Sequence, residues 1–386
     1  MKFLKQTELL DLSFSYHYYL LPLTQKLPIR GIESNGISTR EGILIKVCDK
    51  DGYSGWGECS PLPGLHLENL DDCYNLLEEW SADFQEVKFC PKNFDPGLPL
   101  AGLVAEAEEE TDDEEIEEDD DGDEYEGEED EDAGPEQDLP SVLLYAFEQA
   151  LWSWYCNRYS KEMTQKAQNN FLVLPSSTSP LKVAINQLVL DMDNFVPEVT
   201  GEGESEGGSK FFKIKLGSAS VEKELSRLEN FFLRLNKFYK ELGTELDYKV
   251  VLDAAGAFDL SSLEKFWQGI SSLIKKQIIS ASNLQYIEDP FKNSELLSSP
   301  QLREWGIPVG IDDLLLDFID HQGDVQISKI PSSVVALVIK PTLLGLSVTV
   351  RILRTLAESG ALQNMQVVLS STFDSALTIA TLAMLT

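Results

Sequence analysis

An α/β barrel of the TIM type, set behind an α+β front domain, is the fold class that the 386-residue sequence predicts. Three observations carry it. Seven short β-branched runs recur from about residue 180 onward, roughly 25–40 residues apart. Amphipathic stretches such as 220–242 and 261–278 lie between them. Strand–helix alternation of this kind builds parallel βα units, and seven strands favour a barrel over an open sheet. An open doubly wound sheet usually carries a Gly-x-Gly-x-x-Gly turn after its first strand, and no such turn is found here.

In the front part, 43–50 (ILIKVCDK) reads as a strand, Asp51-Gly52 as a hairpin turn and SGWGE as the returning strand. Residues 68–88 read as a helix, with Leu70, Tyr74, Leu77 and Trp80 on one face. A strongly apolar helix over 140–157 is opened by Pro140. The boundary is expected near 170, giving an α+β domain over 1–170 and a barrel over 171–386. The barrel strand candidates are 183–189, 211–215, 248–253, 284–288, 307–311, 334–340 and 366–370. The Gly/Glu/Ser-rich stretch 199–209 reads as a mobile loop before the second of them.

Acids outnumber bases 66 to 31, for a net charge of −35. Twenty-three of those acids lie in 106–138, which holds no Lys or Arg, so the rest of the chain has 43 acids against 31 bases. The tract reads as a disordered, solvated insert, available at most to a basic partner. With 42% apolar and 9% aromatic residues the chain can bury a large core. Its charge argues against nucleic acid and anionic membranes as partners, since both select a basic face. The five cysteines are odd in number and form no Cys-x-x-Cys, which fits packed thiols in a reducing compartment. Only His17, His66 and His321 occur, so a zinc site or a histidine-based triad is not expected. Glu8 and Asp11 interrupt the N-terminal apolar stretch, and no run reaches the length of a membrane span. A cytoplasmic or organelle-stromal location follows.

In a barrel, polar residues at the C-terminal ends of strands are the functional candidates. Those ends supply Lys213 and Lys215, then Asp253, Glu288 and Asp312, then Lys340, and finally Ser370 and Ser371. Lys213 and Lys215 are two apart and share a face. Crowding and burial are expected to lower a lysine's pKa there, making it a base near neutrality. Three carboxylates on consecutive strands call for a hard cation, and Mg²⁺ fits. A lysine beside carboxylate-bound Mg²⁺ suits removal of a proton α to a carboxylate.

With these residues the chain resembles the enolase superfamily, and within it the o-succinylbenzoate synthases of menaquinone biosynthesis. The resemblance rests on REGILIKV (40–47), GWGECSPLPG (55–64), LPSVLLYAFEQAL (139–151), KIK (213–215), DAAGAF (253–258), IEDPF (287–291), GIDD (310–313), VIKPTLLG (338–345) and SSTFDSAL (370–377). It implies a capping domain in front of the barrel and a lyase that eliminates water from a small carboxylate through an enediolate. Lys215 is implied as the general base, Lys340 as an electrostatic stabiliser opposite it and Lys213 as support for Lys215. Asp253, Glu288 and Asp312 are implied as Mg²⁺ ligands. Ser370, Ser371, Thr372, Pro63 and Gly64 are implied as substrate contacts, with the loop near Tyr18–Leu23 closing over them. The sequence departs from the family pattern at Ala255 (usually Asn), Asp313 (usually Glu), Leu346 and Thr378 (each usually Gly). The family adds an eighth strand after the seventh, so a barrel incomplete at its C-terminal side is expected. Two other readings share the fold: an N-acylamino acid racemase or dipeptide epimerase using Lys215 and Lys340 as paired bases, and an inactive barrel serving as an interaction module.

Overall fold

Alternation of small and apolar residues sets the first strands. β1 (Leu10–Leu27) and β2 (Ile37–Asp49) pair antiparallel over most of their length. Ile43, Ile45 and Val47 of β2 are fully buried while their neighbours stay partly exposed, the period-two signature of a sheet with one face on the core. The structure is a computed structural model and describes residues 9–27, 36–80, 87–95, 97–104, 139–166, 184–197, 211–241, 243 and 248–385. The acidic tract 106–138 and the stretch 199–209 lie outside the described residues. The chain divides into two units: Met1–Met163 with Gly345–Ser347 and Phe373–Thr378, and Thr164–Leu344 with Val348–Thr372 and Ile379–Thr386.

The first unit holds a five-stranded antiparallel sheet in the order β3-β2-β1-β4-β5. Its other strands are β3 (Ser54–Cys59), β4 (Val87–Phe89) and β5 (Leu103–Val104). Helix α1 (Leu70–Glu79) starts from an Asn69–Asp72 capping box, and α2 (Ser141–Lys166) lies on the sheet. Glycines make that close approach possible: a Cβ on Gly55 or Gly57 would stand 2.2 or 1.8 Å from the carbonyls of Ala150 or Ala146 on α2. The GWGE motif is therefore a packing motif. Its Glu58, 1% exposed, accepts the Tyr19 hydroxyl, the Ser375 amide at 2.9 Å and the hydroxyls of Ser375 and Thr378 at 2.7 and 2.8 Å. Thr378, where the family pattern has glycine, thus supplies a donor to a buried carboxylate. Cys59, Cys73 and Cys156 are buried free thiols, in line with their reading as small core residues.

Two lysines converge on Asp11 of β1. Hydrogen bonds from Lys50 and Lys88 lower its pKa to about 2. A depressed carboxylate pKa gives stability that is present above the unfolded value and lost as pH falls through the folded one. Lys88→Ala should therefore raise the Asp11 pKa by about one unit, read by NMR titration, and acid unfolding should begin at higher pH.

The second unit is a seven-stranded parallel sheet with sequential order from β6 to β12. Its strands are β6 (Gln187–Val189), β7 (Phe211–Lys215), β8 (Lys249–Asp253), β9 (Leu284–Glu288), β10 (Val309–Ile311), β11 (Val334–Ile339) and β12 (Gln366–Leu369). Helices α3 (Val221–Glu241), α4 (Leu260–Lys275) and α5 (Pro300–Trp305) follow β7, β8 and β9, α6 (Pro341–Leu344) and α7 (Leu346–Glu358) both follow β11, and α8 (Ala376–Leu385) follows β12. One face, with Phe212, Ile214, Val250, Leu252 and Ile287, packs into the large cluster with Phe231, Phe232, Leu263 and Phe266 of α3 and α4. The opposite face carries Val251, Tyr286 and Ala336. Gly310 makes room there, since a Cβ would lie 2.4 Å from the Tyr286 ring. Among the described residues the sheet stays open between β6 and β12.

The structure differs from the sequence expectation in the front part. The helix expected over 68–88 ends at Glu79, and Val87–Phe89 form a strand instead. β1 was not anticipated. Among the described residues no helix is long and apolar enough to cross a membrane.

Candidate active site

Parallel register brings the predicted residues level. Lys215 at the end of β7 pairs with Asp253 of β8, Asp253 with Glu288 of β9, and Glu288 with Gly310 of β10. Asp312 follows two residues beyond, and Lys340 follows β11. The C-terminal edge of the sheet thus gathers three lysines and three acids within one unit.

These charges are paired with one another. Lys213 Nζ meets Asp253 at 3.2 Å and also bonds Glu288. Lys215 pairs with the same Asp253 oxygen. Lys340 Nζ lies 2.6 Å from Asp312 and 2.8 Å from Asp313. Asp253 and Glu288 are buried, whereas the Lys215 side chain is 44% exposed.

Electrostatics overturn one expectation. The Lys213 pKa was expected to be depressed; it is raised. Burial does act to lower it, but Glu288, Asp253 and Asp312 together outweigh that. Lys340 is raised for the same reason, with Asp312 and Asp313 opposing its burial. The neighbouring strands set Glu288 and Asp253 beside Lys213, and their charge outweighs its burial. Burial would raise Asp253, and Lys213 and Lys215 hold it below the usual range. Glu288 goes the other way: burial pushes it up to about 8 against the pull of Lys213.

Among the described residues no group of three or more metal-ligating side chains is already gathered around one point; lysine ammonium groups stand between the acids. The donor set nevertheless fits a hard divalent cation. Asp253, Glu288 and Asp312 offer oxygens only, and Glu288 Oε2 is buried with no hydrogen-bond partner among the described residues. A buried orphan acceptor is costly unless something positive meets it.

The predicted substrate contacts belong to both units. Ser370 and Ser371 follow β12 and are half-buried, the Ser370 amide held by the Ile339 carbonyl at 2.8 Å. Thr372 is buried, its hydroxyl 3.2 Å from that of Thr342. Pro63 and Gly64 are exposed in the first unit, Gly64 with φ +77°.

Ala255 explains a cost of the sequence. It has φ +47°, a left-handed conformation that strains a residue with a Cβ and that Asn tolerates. Ala255→Asn should stabilise the protein by about 1 kcal/mol, measured by urea denaturation; an unchanged midpoint would refute this.

One residue at the site was missed from sequence. Asp289, 5% exposed with φ +39°, accepts the backbone amides of Asp312 and Asp313, each at 2.9 Å. Its pKa is raised to about 6, chiefly by burial.

Comparison with known proteins bears out the resemblance read from the motifs. Residues 13–109 match the family model described as MenC, N-terminal domain. The o-succinylbenzoate synthase of Haemophilus influenzae is 34% identical over 92 residues, 23% of this chain and 25% of that protein. Protein PHYLLO, chloroplastic, of Arabidopsis thaliana is 23% identical over 311 residues, 79% of this chain and 15% of that protein. The chain thus spans a quarter or less of the length of these relatives. Among solved structures, o-succinylbenzoate synthase from Thermosynechococcus elongatus BP-1, complexed with Mg in the active site, has a TM-score of 0.54 at 17% identity, covering 97% of this chain and 89% of that one. Dipeptide epimerase from Enterococcus faecalis, complexed with Mg and dipeptide, has a TM-score of 0.58 at 14% identity, covering 97% and 86%. At these identities the structural likeness establishes the fold.

Proposed function

Starting from a chain with the enolase-superfamily fold and an N-terminal match to the MenC domain, we propose that the protein is an o-succinylbenzoate synthase. It would convert 2-succinyl-6-hydroxy-2,4-cyclohexadiene-1-carboxylate to o-succinylbenzoate and water, a step of menaquinone or phylloquinone biosynthesis. The observation that carries this reading is the level row of Lys215, Asp253 and Glu288, with Asp312 and Lys340 beyond it.

Asp253, Glu288 and Asp312 would hold Mg²⁺, which when bound neutralises the charge that develops on the substrate carboxylate. Lys215, the most exposed of the paired lysines, is the one a substrate can reach. In its neutral form it takes the α-proton, then returns that proton to the leaving hydroxyl on the same face, so water departs and the ring becomes aromatic. Lys340 remains protonated beside Asp312 and Asp313 and stabilises the enediolate by charge. Lys213 keeps its proton and holds Glu288 and Asp253 in place. Ser370 and Ser371 are assigned to the succinyl carboxylate, with Pro63 and Gly64 as further contacts. The location assigned is cytoplasm or organelle stroma.

A second reading uses the same residues: with Lys215 and Lys340 both acting as bases, the fold serves racemisation or epimerisation of an N-acylated amino acid or dipeptide. The MenC-type N-terminal match favours the synthase. Purified protein should form o-succinylbenzoate from its precursor with Mg²⁺ and stop on adding EDTA. Deuterium uptake into both enantiomers of an N-succinyl amino acid, without synthase turnover, would favour the second reading instead. No turnover in either assay would leave the barrel as an interaction module.

A further inference from the structure

Three strand ends at the site are joined through one residue that the chemistry above does not use. Asp289 directly follows the Glu288 ligand position on β9. Its amide donates to the Gly310 carbonyl of β10 at 2.9 Å, and its carbonyl accepts the Gly256 amide beyond β8 at 2.7 Å. Its carboxylate spans the next turn, Oδ1 on the Asp312 amide and Oδ2 on the Asp313 amide, both at 2.9 Å. Asp289 itself has φ +39°, so the clamp is held at a conformational cost. A strained residue joined to two successive amides by two charge-assisted hydrogen bonds forms a rigid bridge and not an incidental contact.

We propose that Asp289 is a positioning residue for the metal site: its carboxylate fixes the backbone of Asp312 and Asp313 so that the Asp312 carboxylate is presented to the cation that Asp253 and Glu288 share. The inference rests on the metal reading above and goes beyond it by naming what sets the third ligand. A second function for the clamp follows from the same bonds. The two carboxylates that pair with Lys340 belong to Asp312 and Asp313, so the clamp also sets where the Lys340 ammonium stands.

Two substitutions separate positioning from charge. Asp289→Asn removes the charge and replaces one acceptor oxygen by an amide nitrogen. Asp289→Glu keeps the charge and lengthens the arm by one methylene, so the carboxylate can no longer span both amides. Calorimetric titration with MgCl₂ alone, without substrate, is the readout. Both variants should bind Mg²⁺ about ten- to a hundredfold more weakly than the natural chain. In an Asp312→Asn background the Asp289→Glu change should add less than about twofold, because the ligand it positions is already gone. Mg²⁺ affinity of Asp289→Glu within about twofold of the natural chain, or a loss that adds in full to that of Asp312→Asn, overturns the inference while leaving the metal site standing. A natural chain that binds no Mg²⁺ overturns both. Should either variant fold poorly, hydrogen exchange on the unaltered protein decides: slow exchange at the Asp312 and Asp313 amides supports the clamp, and unprotected amides refute it.

Discussion

Lys215→Ala is expected to lower the turnover of α-proton abstraction by about a thousandfold or more, the range lost when a positioned general base is removed. The protein should stay folded. The Lys215 side chain is 44% exposed and pairs, among the described residues, with Asp253, which keeps Lys213 at 3.2 Å as a second cation. The loss should fall on kcat more than on KM, since in the proposed mechanism the side chain acts on the proton in flight and not on the bound ground state. Turnover within threefold of the natural chain would remove Lys215 from the proposed mechanism. Lys213→Ala makes the contrast. It would strip Glu288 and Asp253 of their shared buried partner, so its first symptom should be a loss of stability larger than that of Lys215→Ala.

Glu288→Gln is expected to weaken Mg²⁺ binding by about a hundredfold or more while leaving the metal-free protein close to its original stability. The two halves have one cause. Burial holds the Glu288 carboxyl up to about 8, so the metal-free site already tolerates a neutral group there and an amide of the same shape costs little. A divalent cation needs the anion, and an amide oxygen supplies no charge. Titration calorimetry with MgCl₂, with thermal melts in EDTA alongside, separates the effects. A variant that binds Mg²⁺ as the natural chain does would exclude Glu288 from the ligand set. A variant that melts far lower in EDTA would mean that the carboxylate is structural instead.

Much of the barrel was legible in the sequence because its strands are continuous β-branched runs flanked by turn residues. β7 and β9 span the same residues the sequence predicts, and β8 and β11 differ by one residue at an end. β1 was passed over, although Leu12 is buried and Ser13 and Ser15 are exposed on either side of Phe14; the alternating signal was present but lay in a stretch weighed as a targeting segment and, near Tyr18–Leu23, as a closing loop, where the structure has strand. The charged residues at the strand ends were legible too. Their pairing was not, because it depends on register between strands, which no local pattern encodes. Two neighbouring lysines viewed alone repel; viewed beside Asp253 and Glu288 they are neutralised. Asp289 escaped for a related reason. It reads as the companion of the Glu ligand in IEDPF, and neither its positive φ nor its reach to the next strand is visible in one dimension.

The level row of Lys215, Asp253 and Glu288 has a consequence for how folding errors would show. Side chains on a strand alternate faces, so a slip of β8 by one residue against its neighbours would send Asp253 toward the helices and bring Leu252 to the mouth. The packed core could absorb part of such a slip, since Val250, Val251 and Leu252 are all apolar and fully buried. The charged row could not. If the row holds Mg²⁺ as proposed, metal affinity serves as a quality gauge: a preparation in which a fraction of molecules carries a shifted strand would look folded by circular dichroism and yet titrate with Mg²⁺ at less than one site per chain.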